Sequence, residues 1–178
     1  MSSESRLIAD AKAGSVTAFT GLVEAYREGL FRFLLTRCNN HADAEDALQD
    51  TLINAYRYIN SYNPQWRFST WLYRIAIRNA MNNRSANVVE LGDVSGEEND
   101  PLDHAIAASN HNNLWSSARR ALNEEVYTAM WLRYVEDMSI KDIAAALDRS
   151  VSWTKVNLLR GRKALDAELG QEGSEAYG

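Results

Sequence analysis

Residues 42–84 read ADAEDALQDTLINAYRYINSYNPQWRFSTWLYRIAIRNAMNNR, two amphipathic stretches on either side of a proline-marked aromatic loop. On a wheel of about 100° per residue, Leu48, Leu52, Ala55, Tyr56 and Ile59 form one stripe, with Asp43, Asp46 and Asp50 nearly opposite. The spacing predicts a helix over 42–59 with one face for a core and one face of concentrated negative charge. Asn40 is placed to cap it with Asp43 at the third helical position, and acids in a first turn complement the helix dipole. That accounts for Asp43 and Asp46. Asp50, two turns in, is left as part of either a solvated acidic face or a docking surface.

Residues 62–70 (YNPQWRFST) form the loop, which sets polar residues beside Trp66 and Phe68, and a second helix follows over 71–84. Aromatics interleaved with arginine suit unpaired bases: every base has a π-face to stack and every phosphate needs a cation. In the second helix Leu72, Ile75 and Ala76 line one side, while Arg74 and Arg78 share another that Arg67 can join. Trp71 and Tyr73, at the start of that helix, fit a core as well as a base platform.

The pattern DAEDxxQ at 43–49 followed by FSTWLYRIA at 68–76 resembles domain two of bacterial sigma factors of the extracytoplasmic-function (ECF) group. The resemblance implies that the acidic helix docks on a basic coiled coil of the RNA polymerase largest subunit. It places Asp43, Asp46, Gln49 and Asp50 on the polymerase side. The loop and second helix would open and read the minus-ten promoter element as single strand, through Asn63, Trp66, Arg67, Phe68, Trp71, Arg74 and Arg78. Arg78 stands where the family commonly has asparagine, and Asn79 follows it.

The rest of the chain extends this frame. Residues 5–13 carry a short helical pattern broken at Gly14 and Ser15. Residues 16–37 are long and amphipathic, with Phe19, Leu22, Val23, Tyr26, Leu30, Phe33 and Leu34 recurring at three and four. Together with 42–84 they predict one helical domain over 1–85. Residues 86–113, with Gly92, Gly96, Pro101 and little periodicity, read as a flexible acidic linker. His104 and His111 lie in it without partners at ligand spacing, and are read as solvated.

A second helical domain is expected over 114–170. A helix begins near Asn123, a short helix over 139–147 starts at a capping Ser139, Asp148 to Ser150 make a turn, and 151–169 is helical again. This is the helix-turn-helix pattern, which occurs both as a DNA reader and as plain architecture. In the last helix Val151, Thr154, Leu158, Leu165 and Leu169 form the expected inward stripe; Trp153, Val156, Asn157, Arg160 and Lys163 lie outside, with Ser152 at the entry. Donors near the N-terminus and cations farther along suit base edges and phosphates respectively. The stretch is similar to sigma domain four, which reads the minus-thirty-five element and touches the polymerase flap. Ser150, Lys155, Arg160, Arg162 and Lys163 match the family pattern, and together with Ser152, Trp153 and Asn157 from the outer side and entry of the helix they make the expected DNA-facing set. Asn157 stands where a basic residue is usual, and Trp153 and Val156 replace smaller or more polar residues. Residues 171–178 read as a polar tail.

Composition agrees with an all-α class: helix formers abound and only two prolines occur in 178 residues. The net charge of -5 is local rather than global. Between Ala86 and Ala118 six acids stand without a lysine or arginine, more negative charge than the whole chain carries. No apolar run approaches the ~20 residues of a membrane span, and the first residues lack a signal-peptide core, so the cytoplasm is the expected location. Cys38 has no disulfide partner and is read as a small core residue. No metal spacing, catalytic triad or phosphate-cradling glycine loop is found, so neither cofactor nor enzymatic activity is expected.

Two function classes remain. An ECF sigma factor explains both halves, with RNA polymerase core and promoter DNA as partners and, by family analogy, an anti-sigma protein that covers the same surfaces. A stand-alone dimeric helix-turn-helix regulator explains only the second half.

Overall fold

The computed structural model describes residues 2–38, 40–90 and 110–175, and among them every regular element is helical. They fall into two compact units, 1–95 and 96–178.

The first unit holds α1 (Ser3–Lys12), α2 (Val16–Leu35), α3 (His41–Arg57), a short 3-10 turn (Ile59–Ser61) and α4 (Phe68–Glu90). Side-chain caps explain where three of these helices begin. Ser2 Oγ accepts from the Ser5 amide at 3.1 Å, Ser15 Oγ from Ala18 at 3.1 Å and Asn40 Oδ1 from Asp43 at 2.8 Å; each meets an amide that lacks a partner in a helix's first turn. Between α1 and α2 the chain turns at Gly14 with φ +99°, a left-handed conformation that a side chain would strain.

Helix α2 packs on α1, α3 and α4, and α3 packs on α4. Leu30, Phe33, Leu34, Leu72 and Tyr73 form the centre, all at or below 2% exposure, with the Phe33 and Tyr73 rings edge to face at 5.7 Å. The buried face of α3 is Ala44, Ala47, Leu48, Thr51 and Ala55. It is rotated from the expected stripe toward small residues, because alanine and threonine let neighbouring helices approach closely. Leu52 is half-buried, Tyr56 is exposed, and Ile59 is buried in the 3-10 turn instead of the helix.

Helix α4 starts at Phe68, three residues before the expected position, and runs to Glu90, beyond the expected boundary at 84. Its inward residues are Leu72, Tyr73, Ala76 and Ile77, with Ile75 half-buried. Thus Tyr73 is core. The helical ends of the stretch read as a linker reach Glu90 on one side and start again at Asn110 on the other; residues 91–109, which carry most of the acidic segment and His104, lie outside the described residues.

The second unit holds α5 (Asn110–Ala121), α6 (Glu124–Tyr134), α7 (Ile140–Leu147) and α8 (Val151–Glu175). Asn123 and Ser139 cap α6 and α7, accepting from Val126 at 2.9 Å and Asp142 at 3.1 Å. Helix α7 ends at Asp148 in the left-handed region (φ 57°, ψ 42°), one of the few non-glycine types that adopts it readily. Ser150 Oγ then accepts from Trp153 N–H at 3.0 Å to start α8. The turn between the two helices is therefore written in three polar residues. Ala118, Ala129, Leu132 and Ile143 are fully buried, and the Trp115 ring lies 5.0 Å from Trp131. Gly161 lets α8 come against α6, for a Cβ there would meet Met130 Sδ at 3.0 Å and Val126 Cγ1 at 3.1 Å. Val151 and Leu169, expected inward, are exposed at 41% and 39%; the packed line is Thr154, Leu158, Gly161 and Leu165. Helix α8 also extends to Glu175, into the stretch read as a tail.

Candidate functional site

Turning the small residues of α3 inward leaves Asp43, Asp46, Gln49 and Asp50 all exposed. They are not equivalent. Asn40 Nδ2 donates to Asp43 Oδ2 at 3.0 Å, reciprocating the cap, so Asp43 helps start its own helix. Among the described residues neither Asp46 nor Asp50 has a salt-bridge or hydrogen-bond partner from its side chain. Beside them α2 and α3 enclose a groove of about 940 Å³ whose floor includes Phe19, Val23, Leu48 and Leu52. Its rim carries Glu24, Glu28, Glu45 and Asp46, with Arg27 and His41 as the basic groups, the His41 Nδ1 3.6 Å from Glu45 Oε1. An acidic rim over an apolar floor fits an amphipathic partner helix with basic edges.

The loop after α3 is braced from several sides. Tyr62 Oη donates to the Trp66 carbonyl at 2.6 Å, the Gln65 amide donates to Asn63 Oδ1 at 3.0 Å, and the Trp66 amide to the Asn63 carbonyl at 3.1 Å. Asn63 is exposed, yet its side-chain oxygen is committed to the loop's own turn. Lys12 of α1 reaches across to donate to the Tyr62 carbonyl at 2.9 Å, its ammonium 5.5 Å from the Tyr62 ring centre. Tyr26 Oη donates to Glu4 Oε1 at 2.8 Å. Burial first, then the bond to Glu4, holds the Tyr26 phenol above its ordinary pKa, and burial does the same for Tyr62. Both stay neutral donors. Sequence reading did not single out Lys12, Glu4 or Tyr26 for this work, because nothing in the spacing of α1 signals contact with a loop fifty residues away.

Phe68 requires a correction. Placed by sequence in an exposed loop, it is the first residue of α4 and only 2% exposed, with ring neighbours Tyr26, Tyr62 and Trp71 at 5.7, 5.4 and 5.5 Å. It supports the loop from beneath. Trp66 and Trp71 are half-buried, and Arg67 is exposed at the edge of a second concavity of about 500 Å³ lined also by Glu4, Tyr26, Tyr62, Pro64 and Phe68. This concavity shares no lining residue with the acidic groove.

Along α4, Trp71, Arg74 and Arg78 lie within one side of the helix by the 3.6-residue period. Arg78 is exposed and Arg74 half-buried. Asn79 faces the other way: its Nδ2 donates to Thr51 Oγ1 at 3.4 Å and its Oδ1 accepts from Asn54 at 3.2 Å, tying α4 to α3. The asparagine is thus structural, and Arg78 occupies the outer side.

On α8, Ser152, Lys155, Arg160, Arg162 and Lys163 are exposed. Three members of the sequence-derived set are partly committed elsewhere. Ser150 caps the helix through its Oγ, Trp153 is half-buried with the Arg149 guanidinium 5.3 Å from its ring, and Asn157 Nδ2 donates to the Trp153 carbonyl at 2.9 Å. Arg149 is itself held by Glu125 at 2.6 Å. Among the described residues no three His, Cys, Asp or Glu side chains gather as metal ligands would, and no helix is long and apolar enough to cross a membrane.

Comparison with known proteins gives the same two parts. Residues 22–87 match the model of sigma-70 region 2 and residues 117–165 that of sigma-70, region 4. The chain is 26% identical over 176 residues to the ECF RNA polymerase sigma factor SigW of Bacillus subtilis, covering 91% of this chain and 94% of that protein. To the ECF RNA polymerase sigma-E factor of Haemophilus influenzae it is 29% identical, with 92% and 93% covered. Among solved structures, CnrH in complex with the cytosolic domain of CnrY superposes with a TM-score of 0.72 at 23% identity, over 96% of this chain and 99% of that one. The sigma factor RpoE of Bartonella quintana, in complex with the anti-sigma factor NepR, superposes at 0.67 with 21% identity, over 87% and 98%. At such identities these superpositions establish the fold alone.

Proposed function

The chain belongs to the sigma-70 family as an ECF-group sigma factor, a subunit that binds RNA polymerase core and directs it to promoter DNA, and from that premise we propose how its surfaces divide the task. Asp46 and Asp50, with Gln49 and Asp43 beside them, take the basic coiled coil of the polymerase largest subunit, and the α2–α3 groove receives that partner's apolar edge. The braced loop and the outer side of α4 take the minus-ten strand: Trp66 and Trp71 offer ring faces, Arg67, Arg74 and Arg78 meet phosphates, and Asn63 shapes the loop. Phe68 supports them. In the second unit α8 enters the major groove, with Lys155, Arg160, Arg162 and Lys163 on phosphates and Ser152 near base edges.

The observation that carries this reading is the pair of unpartnered carboxylates on α3, Asp46 and Asp50, the first of them on the rim of a groove separate from the aromatic loop. Two different partners can then be held at once. Melting needs no chemistry from this chain, because trapping unstacked bases offsets an unpairing cost of a few kcal/mol. The protein accordingly acts as a non-enzymatic specificity subunit in the cytoplasm, where the polymerase works. The Bartonella quintana relative was solved with an anti-sigma factor, and an inhibitor of that kind covering these same surfaces is part of the proposal.

A stand-alone dimeric regulator is not favoured, since it leaves the region 2 match and the α3 carboxylates without a task. In vitro transcription with purified core on a promoter library tests the reading. Core plus this chain should initiate at a defined set of promoters, while core alone does not. Tight sequence-specific duplex binding by the chain alone, with no affinity for core, would overturn it.

A further inference from the structure

The packing of α8 singles out a ridge that the charged residues do not explain. Thr154, Leu158, Gly161 and Leu165 are buried, so the opposite side of the helix, at the 3.6-residue period, runs Ser152, Val156, Leu159, Lys163. Its ends are polar and its middle is apolar: Val156 and Leu159 are 45% and 46% exposed. They lie one turn apart on a helix that otherwise presents cations outward, with Lys155 and Arg162 on one flank and Arg160 on the other. Two further donors close to the middle of this ridge are engaged within the helix and its turn. Asn157 spends its amide on the Trp153 carbonyl, and Trp153 turns toward Arg149.

A solvated helix face gains nothing from two branched aliphatic side chains at its crest. In a major groove the one base-edge feature that an aliphatic side chain reads is the C5-methyl group of thymine, since the other features there are hydrogen-bond donors and acceptors. The flanking cations fix the depth and register at which that crest meets the bases. We propose that Val156 and Leu159 read thymine methyl groups in the minus-thirty-five element, so that this chain specifies part of that element by apolar contact. The proposal rests on the assignment of α8 as the helix that enters the major groove.

The test uses holoenzyme, core plus the full chain. Duplex promoters randomised across the minus-thirty-five element are selected for binding. The selected duplex is then remade with deoxyuridine replacing thymidine one position at a time, which deletes the methyl group and leaves the pairing edge intact. At one or more positions wild-type holoenzyme should lose about fourfold in affinity, the ratio expected for one buried carbon. V156S or L159S should bind thymidine and deoxyuridine duplexes equally at the position it reads, while V156I keeps the discrimination. If no deoxyuridine substitution weakens wild-type binding, the proposal is overturned. If each substitution weakens wild type and both serine variants alike, the methyl acts through DNA shape and the proposal is equally overturned. Failure to enrich any minus-thirty-five sequence, with core binding intact, would remove the major-groove assignment beneath it; such a result is distinct from enrichment of a sequence whose methyl groups are ignored. Both positions are exposed, so circular dichroism of the serine variants should match wild type.

Discussion

Reversing charge at Asp46 and Asp50 separates partner binding from folding more cleanly than any other change to the first unit. Both carboxylates are exposed and neither has a partner among the described residues, so D46K/D50K should move folding stability by no more than about 0.5 kcal/mol. Against a basic partner each exposed pair contributes up to about 1 kcal/mol. Neutralising both with asparagine should therefore raise the Kd for core by up to about thirtyfold, and reversing both, which replaces attraction by repulsion of similar size, by up to roughly a thousandfold. Asp43 is excluded from the design because its carboxylate accepts from Asn40 and its loss would weaken the start of α3. Reversal at Asp10, equally exposed on α1, matches the charge change of either single reversal, D46K or D50K, and is the control for those. Affinity is measured by competition for core at two salt concentrations, and the gap between wild type and variant should narrow at the higher one as screening shortens the reach of each charge. An unchanged Kd in the double variant would refute the assignment of this face. So would a loss of helical signal, because the structure leaves both side chains without a folding role.

Phe68→Ala should destabilise the first unit by about 3–5 kcal/mol in urea unfolding, as expected for a buried aromatic; Trp66→Ala, at a half-buried site, should cost less and impair open-complex formation more than core association. Equal losses for Trp66→Ala in the two assays would count against stacking. Lys12→Met removes the donor to the Tyr62 carbonyl, a charge-assisted bond, and should slow open-complex formation by up to about tenfold with core affinity unchanged; wild-type kinetics would show that the loop holds its shape without α1. Gly161→Leu should destabilise the second unit by about 1–3 kcal/mol through overpacking against Met130 and Val126, whereas Gly170→Ala, with open space around it, should stabilise α8 by up to about 1 kcal/mol. Opposite signs in urea unfolding are the expected result, and equal signs would mean that α8 does not approach α6 as described.

What could be read from sequence was whatever short-range chemistry dictates. Asn40, Asn123 and Ser139 mark helix starts because a cap is a local event, and Asp148 to Ser150 mark the turn for the same reason. The acidic side of α3 was legible because the period of the helix leaves it one place to go. The identity of buried faces was less so. Large apolar residues dominate a wheel drawn from hydrophobicity, yet α3 buries alanines and a threonine, and α8 buries a glycine, since the distance between helix axes depends on the smallest residues at the contact. Phe68 was misplaced for a related reason: an aromatic in a polar loop looks available, and it is covered in part by Tyr26, from a helix forty residues earlier, besides its neighbours Tyr62 and Trp71. Helix α5 was missed as a whole, the second unit's first helix having been expected near Asn123, because its first turn, rich in asparagine, has weak helix propensity and no apolar period.

These corrections sharpen the division between the two faces of the first unit. If Phe68 had been a free ring, the loop would present three aromatics with no rigid base. With Phe68 beneath it, Tyr62 closing onto Trp66 and Lys12 tying Tyr62 to α1, the loop is held in one shape before any strand arrives. Such preorganisation matters energetically, because a platform already ordered spends no binding energy on its own ordering and has more left to set against the cost of unstacking a base. The same logic applies to Asn79. By donating to Thr51 and accepting from Asn54 it fixes α4 against the helix that carries Asp46 and Asp50, so the surface proposed for the partner and the surface proposed for the strand belong to one packed helix pair. Asn79→Leu, which fills similar volume but takes the acceptor from the half-buried Asn54 amide and one donor from the Thr51 hydroxyl, itself still bonded to the Ala47 carbonyl, should then weaken both functions together, unlike D46K/D50K or Trp66→Ala, each of which should weaken one. Selective loss of a single function in Asn79→Leu would show that α3 and α4 do not act as one body.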